Sequence, residues 1–196
     1  LDGVVPVKIG ILAVQGDFEA HAARLQQLGV EPVRVRRVSQ LKGIEGLILP
    51  GGESTTQLQF LTEEGLAEAI TERARQGLAI FGTCAGAILL AREVRNPQQP
   101  SLGLMDITVV RNAYGRQLES TVFAGRTVLR DEPLEMVFIR APVIEQIGRG
   151  VTPLAWRDDR PVLVRQGRLL AATFHPELSA DPLVHQYFLK IITDGL

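Results

Sequence analysis

Gly82-Thr83-Cys84-Ala85-Gly86 holds the only cysteine of the chain. The apolar run Leu78-Ala79-Ile80-Phe81 precedes it, and the helix-forming run Ala87-Ile88-Leu89-Leu90-Ala91 follows. Gly-x-Cys-x-Gly between a strand and a helix is the thiol form of a nucleophile elbow, a turn so tight that the flanking residues must be small. A cysteine held there projects from the sheet edge at the positive end of the next helix, which favours the thiolate. A lone cysteine is more often a small buried hydrophobe. The glycine bracket argues for a nucleophile instead.

A nucleophile needs a base, and the base needs an orienting group. The chain has three histidines. His21 lies in the amphipathic segment 17–29 and His185 in the helical pattern 181–193, and a partly exposed helix position is the expectation for both. His175 differs, because it ends the strand-like run Leu169-Leu170-Ala171-Ala172-Thr173-Phe174 and precedes Pro176-Glu177. Alternate residues of an extended chain share a face, so Glu177 can reach back to the His175 ring while Pro176 stiffens the turn. Cys84, His175 and Glu177 thus read as nucleophile, base and orienter. Three histidines and one cysteine offer no metal-ligand spacing, so no metal and no cofactor is expected.

These residues must be carried by a sheet edge. Val7 to Val14 reads as a buried strand that turns at Gln15-Gly16 into a helix ending at Gly29. Val33 with Val35, and Leu47-Ile48-Leu49, read as two further strands. Ser54 and Gln57 have the spacing of a capping box opening the next helix, and 66–75 continues helical to Gly77. Strand and helix then alternate through the elbow. This order predicts a mostly parallel sheet covered on both faces, a flavodoxin-like three-layer α/β fold in one domain over 1–196. After Pro97 the extended segments 103–111, 117–130, 136–140, 153–157 and 161–174 predict an antiparallel portion that returns to the sheet before the final helix. In open α/β sheets the ligand crevice lies beyond the carboxyl ends of the strands. Cys84 occupies such an end and Pro50-Gly51-Gly52-Glu53-Ser54 another, where a glycine pair lets backbone N–H groups approach a substrate.

Composition sets outer bounds. A chain of 196 residues, 45% hydrophobic and 22% charged, suits a folded domain with a substantial core. The net charge of −1 gives no general attraction to nucleic acid or membrane. Arg34, Arg36 and Arg37 alternate with valines, as on a solvated strand edge. One cysteine excludes an intrachain disulfide, no apolar run reaches membrane-spanning length, and no basic-then-apolar leader opens the sequence. A cytoplasmic protein is the expectation.

Gly-Thr-Cys-Ala-Gly with a distant His-Pro-Glu resembles the class I, triad-type glutamine amidotransferases. The segments LAVQGDFEAH (12–21), LPGGEST (49–55), FGTCAGAILLA (81–91), DITVVRNAYGRQLES (106–120), FIRAP (138–142) and FHPEL (174–178) are similar, more narrowly, to the glutaminase subunits of pyridoxal 5′-phosphate synthases. Thr121 stands where an aromatic is common in that family. The resemblance implies Gly52 and Ala85 N–H groups as the oxyanion hole, and Gly52, Glu53, Ser54, Arg111, Ile139 and Arg140 around the substrate. Arg111 and Arg140 are its candidates for the α-carboxylate side of glutamine. It also implies that Gln15, close to the Gly51-Gly52 peptide, sits in a loop that responds to a partner.

On this resemblance the chain hydrolyses L-glutamine to glutamate and ammonia through a Cys84 thioester. It binds no pyridoxal phosphate itself. Ammonia lost to water would be protonated and diluted, so a separate partner is expected: the barrel-shaped synthase subunit, in a large hetero-oligomer. The rivals are a glutaminase of imidazole glycerol phosphate or aminobenzoate synthesis, a non-catalytic regulatory subunit, and a cysteine hydrolase acting on other amides. RNAYGRQ and FIRAP count against the first, and the intact set of Cys84, His175 and Glu177 against the second.

Overall fold

A computed structural model describes residues 6–113 and 120–196. Its first half alternates strand and helix: β1 (Lys8–Leu12), α1 (Phe18–Gln27), β2 (Glu31–Val35), β3 (Gly46–Leu49), α2 (Ser54–Glu63), α3 (Leu66–Arg75), β4 (Ala79–Thr83) and α4 (Ala85–Leu90). The second half is β-rich: β5 (Ala91–Arg95), β6 (Met105–Val110), β7 (Thr121–Thr127), β8 (Leu134–Phe138), β9 (Val143–Ile147), β10 (Thr152–Arg157), β11 (Arg160–Gln166) and β12 (Leu169–Ala172). Helix α5 (Leu183–Thr193) closes the chain.

The main sheet runs β2-β1-β3-β4-β12-β11-β10-β7-β8. Its first five strands are parallel, and the remaining pairs are antiparallel. The 2-1-3-4 order is flavodoxin-like, and as the parallel strands share one direction their carboxyl ends lie on one edge. Gln15 follows β1 there, Pro50 to Ser54 follow β3, Cys84 follows β4 and His175 follows β12. Topology alone thus collects four segments distant in sequence.

The two faces of the sheet are covered separately. Ile11, Ile48, Phe81 and Leu170 point to the side of α1 and α5, where Leu25, Val184 and Phe188 meet them. The alternate residues Leu12, Leu49, Ile80 and Ala171 point to the other side, against Leu61, Leu66, Ile70 and Leu89 of α2, α3 and α4. Period-two alternation in the central strands therefore separates the core into two layers. Each fully buried large aliphatic or aromatic side chain contributes about 1.5–3 kcal/mol.

Several elements depart from the sequence expectation. The extended run 161–174 is two strands, because Gly167 turns the chain with φ 57° and β12 pairs antiparallel to β11. The helix expected over 87–91 ends at Leu90, since Ala91 already pairs with Met105. Strands β5 and β9 were not foreseen. With β6 they form a separate three-stranded sheet that covers the α4 side of the core through Val94, Ile107 and Ile144. Helix α2 is capped by Glu53, whose carboxylate accepts from Thr55 N and Thr56 N, and not by a Ser54–Gln57 box. Ser54 lies inside the helix instead. Of the expected segment 117–130, residues 117–119 lie outside the described residues, as do 114–119 of the RNAYGRQLES stretch. Among the described residues no helix is long and apolar enough to cross a membrane.

Candidate active site

Cys84 links β4 to α4 with φ 51° and ψ −104°, a positive φ for a residue with a side chain. Such a conformation costs about 1–3 kcal/mol and persists only where the surroundings enforce it. They do so here by fixing both sides of the peptide. Cys84 N donates to Ala172 O of β12 at 2.8 Å, and Cys84 O accepts from Ala87 N and Ile88 N at 3.1 and 3.2 Å. The two glycines have distinct steric reasons. A Cβ on Gly82 would overlap the Gly86 carbonyl, and one on Gly86 would overlap the Leu49 carbonyl of β3. Helix α4 can sit this close to two strands only if both positions lack side chains. The result leaves Cys84 8% exposed, with Sγ 3.9 Å from Ile139 O.

His175 is anchored by its backbone N–H, which donates to Val137 O of β8 at 2.8 Å. Its ring Nδ1 lies 2.7 Å from Glu177 Oε1. The pair forms across a 3-10 turn at Pro176–Leu178 and not along an extended chain, with Pro176 at the first turn position, where no N–H is needed. The Glu177 side chain is wholly buried. Asp17 Oδ2, from the loop after β1, approaches the same ring nitrogen at 3.2 Å. Burial opposes charge on the imidazole, but Cys84 and Glu177 beside it outweigh this and raise its pKa to about 10. Burial likewise raises the Glu177 carboxyl, with the His175 hydrogen bond opposing. The far ring nitrogen, Nε2, is buried with no hydrogen-bond partner among the described residues. A cationic ring flanking a thiol can favour attack by sulfur as an anion and then return a proton to a leaving amine.

The expectation for His21 and His185 is overturned. Both are fully buried, because α1 and α5 pack their histidine faces together over Phe81. His21 Nδ1 lies 2.9 Å from His185 Nε2, and His21 Nε2 lies 3.2 Å from Thr83 Oγ1. Nothing in the amphipathic patterns marked them, since a histidine reads as polar there.

Around Cys84 the glycine loop is tightly held. Gln57, fully buried, donates through Nε2 to Pro50 O at 3.2 Å and Gly51 O at 3.4 Å. Gly51 rests on the His175 ring, so that a Cβ there would stand 2.5 Å from Cε1. Gly52 has φ 145°, and a Cβ on it would stand 2.6 Å from Gln15 Oε1. Gln15 accepts from Glu53 N at 3.1 Å and so lies directly over this loop. Ala85 is the first residue of α4, directly after the elbow. Glu53 is held low, to about 2, by Thr55 and Thr56, although burial opposes this. Arg111 reaches Glu53 Oε1 at 3.2 Å, so one arginine of the proposed pair is brought to the loop. Ser54 is buried, and its hydroxyl donates to Gln99. Ile139 presents its carbonyl to Cys84, and Arg140 follows it, exposed and with φ 44°. Sequence reasoning missed Asp17 and Gln99, and gave Gln57 a capping role in place of its hold on the glycine loop.

Asp17, His175 and Glu177 place one donor atom each within 4.8 Å of one another, the spacing a cation could use. Here Glu177 instead accepts the ring N–H, and Asp17 stands beside the same nitrogen as an ion-pair partner.

Comparison with known proteins places this geometry in context. Residues 11–194 match the model of the SNO glutamine amidotransferase family. A relative from Koribacter versatilis, named pyridoxal 5′-phosphate synthase subunit PdxT, is 53% identical over 96% of this chain and 97% of its own length. The Thermus thermophilus protein of the same name is 52% identical, over 93% and 96%. A solved structure described as a glutamine amidotransferase superposes with a TM-score of 0.89 at 48% identity, covering 96% of this chain and 99% of that one. The Thermotoga maritima PurLQS structure shares the fold at 18% identity, with a TM-score of 0.73 over 96% of this chain and all of that one.

Proposed function

The chain belongs to the SNO glutamine amidotransferase family, and we propose that it is the glutaminase of a pyridoxal 5′-phosphate synthase with Cys84, His175 and Glu177 as its working triad. The observation that carries this reading is the strained Cys84 elbow beside a His175 whose Nδ1 is held by a buried carboxylate. His175, oriented by Glu177, takes the proton of Cys84. Sulfur attacks the side-chain carbonyl of glutamine, and the oxyanion that forms is met by the N–H groups of Gly52 and Ala85. One such donor is typically worth ~3 kcal/mol of transition-state stabilisation. The imidazolium gives its proton to the departing nitrogen, which leaves as ammonia, and a glutamyl thioester remains. Neutral His175 then takes a proton from water as it attacks the thioester. Glutamate departs, and the thiolate–imidazolium pair returns.

Glu53, Ser54, Arg111, Ile139 and Arg140 surround the substrate in this reading. Glu53 is ionised well below neutrality and faces Arg111, an arrangement suited to an amino acid carrying both charges. The relatives are named as synthase subunits. The partner is then the barrel-shaped synthase subunit, in a hetero-oligomer that passes ammonia directly. The test uses the assembled complex. Cys84→Ala should abolish glutamate release and block pyridoxal phosphate formation from glutamine, while ammonium salt restores it. Glutamate release by a clean Cys84→Ala preparation overturns the nucleophile. Failure of ammonium to rescue a competent synthase overturns the ammonia-supplying role.

A further inference from the structure

Two of the three histidines face one carboxylate, and the third, His185, backs onto one of them. His175 Nδ1 takes Glu177 Oε1 at 2.7 Å, and the second oxygen, Oε2, faces His21 Nε2 at 3.4 Å. That separation is long for a hydrogen bond, and the contact is chiefly electrostatic. Glu177 Oε2 is buried and has no conventional hydrogen bond among the described residues. The same His21 nitrogen lies 3.2 Å from the hydroxyl of Thr83, the residue before the nucleophile, and His21 Nδ1 lies 2.9 Å from His185 Nε2.

Both outer rings are neutral. Burial drives His21 well below its ordinary pKa, helped by His185 and His175, and burial with Arg24 nearby lowers His185 to about 3. A neutral imidazole has one donor and one acceptor nitrogen, so only two proton arrangements satisfy the His21–His185 contact. In the first, His185 Nε2–H donates to His21 Nδ1, and His21 presents Nε2–H to Glu177 and Thr83. In the second, His21 Nδ1–H donates, which turns a lone pair towards the carboxylate. That arrangement also puts the His185 proton on Nδ1, a buried atom without a partner among the described residues. Setting a lone pair against an anion while stranding a buried N–H is the costlier choice. The first arrangement leaves only an idle acceptor.

We infer that His21, its tautomer fixed by His185, is a positioning residue whose Nε2–H holds Glu177 Oε2 so that Oε1 stays on the His175 ring. Through Thr83 the same ring ties the strand that carries the nucleophile to the carboxylate that orients the base. This inference rests on the triad reading of Cys84, His175 and Glu177.

Two measurements test it. Nitrogen-15 spectra of histidine-labelled chain should show His21 as the neutral Nε2–H tautomer from pH 5 to 8; the Nδ1–H tautomer overturns the proposal. In the complex with the synthase, His21→Leu should lower kcat for glutamate release at least tenfold with KM for glutamine nearly unchanged. His21→Gln, which can offer an N–H in the same place, should recover most of the rate. The double variant His21→Leu/His185→Leu removes both polar partners and should regain thermal stability without regaining kcat. Recovery of kcat together with stability makes the role structural and refutes positioning. If His21→Leu does not fold, the tautomer and the His21→Gln rate still decide. Glu177→Gln separates the two levels: full activity there fells the triad reading itself, whereas a slow Glu177→Gln beside a normal His21→Leu fells only the positioning role.

Discussion

Buried neutral histidines make a protein acid-labile, and the His21–His185 pair sets the size of that effect. The unfolded chain protonates a histidine near pH 6.5, whereas folding holds both of these well below that value. As pH falls from 6 to 5 the unfolded state therefore binds almost two more protons at these residues than the folded state. Each proton of difference is worth ~1.4 kcal/mol per pH unit, so folding stability should fall by roughly 2–2.5 kcal/mol across the window. The other shifted groups near the site do not cancel this. His175, raised to about 10, contributes stability that is fully present below pH 6.5 and is lost only as pH rises towards 10. Glu53, lowered to about 2, contributes stability lost only below pH 4.5. Glu177 is raised, so the folded state takes up its proton first and offsets part of the loss as pH approaches 4.5. The figure is accordingly an upper limit. Urea unfolding at pH 6.0 and 5.0 measures it: with an m-value of about 2 kcal/mol/M the midpoint should drop by about 1 M. The variant His21→Leu/His185→Leu should lose less than a third as much. A flat wild-type profile, or the same slope in the double variant, refutes the neutral buried pair.

Three further predictions concern the site. Gly86→Ala should push α4 off β3, because its Cβ meets the Leu49 carbonyl; overpacking of this kind costs about 1–3 kcal/mol or more, and glutamate release should vanish even in the folded fraction. Neutralising Arg111 or Arg140 should weaken glutamine binding roughly ten- to a hundred-fold, the cost of one charge-assisted contact. Titration calorimetry in the Cys84→Ala background reads this directly, and unchanged binding in both variants removes the arginines from the pocket. Gln15→Ala should blunt any stimulation of glutamate release by the synthase, because Gln15 Oε1 holds Glu53 N and leans on Gly52; equal stimulation of wild type and variant would detach that loop from activation.

How much of this was legible in the sequence depended on how local each cause is. The elbow was legible because its demand for small neighbours is met within five residues, and the structure adds that Gly86 answers to β3, a strand far back in the chain. The parallel half was legible because its strands are apolar runs separated by amphipathic helices. The strands of the small sheet were not, since Ala91 to Arg95 and Val143 to Ile147 each bury only two residues and carry charge between or beyond them. The His175–Glu177 pair was foreseen through the wrong backbone, an extended chain in place of a 3-10 turn, and the contact survived because His175 is the cap before that turn, with φ −108° and ψ 84°, and its ring reaches Glu177 from outside it. His21 and His185 were misplaced for a deeper reason. Hydrophobic periodicity sorts residues by transfer preference, and a histidine scores as a surface residue whatever its protonation. Whether it is buried depends on a partner that can satisfy its ring, and each of these finds that partner 164 residues away. The polar second layer of a site is therefore what a single sequence conceals best, because its members stabilise one another only after the sheet has brought α1 and α5 to the same face.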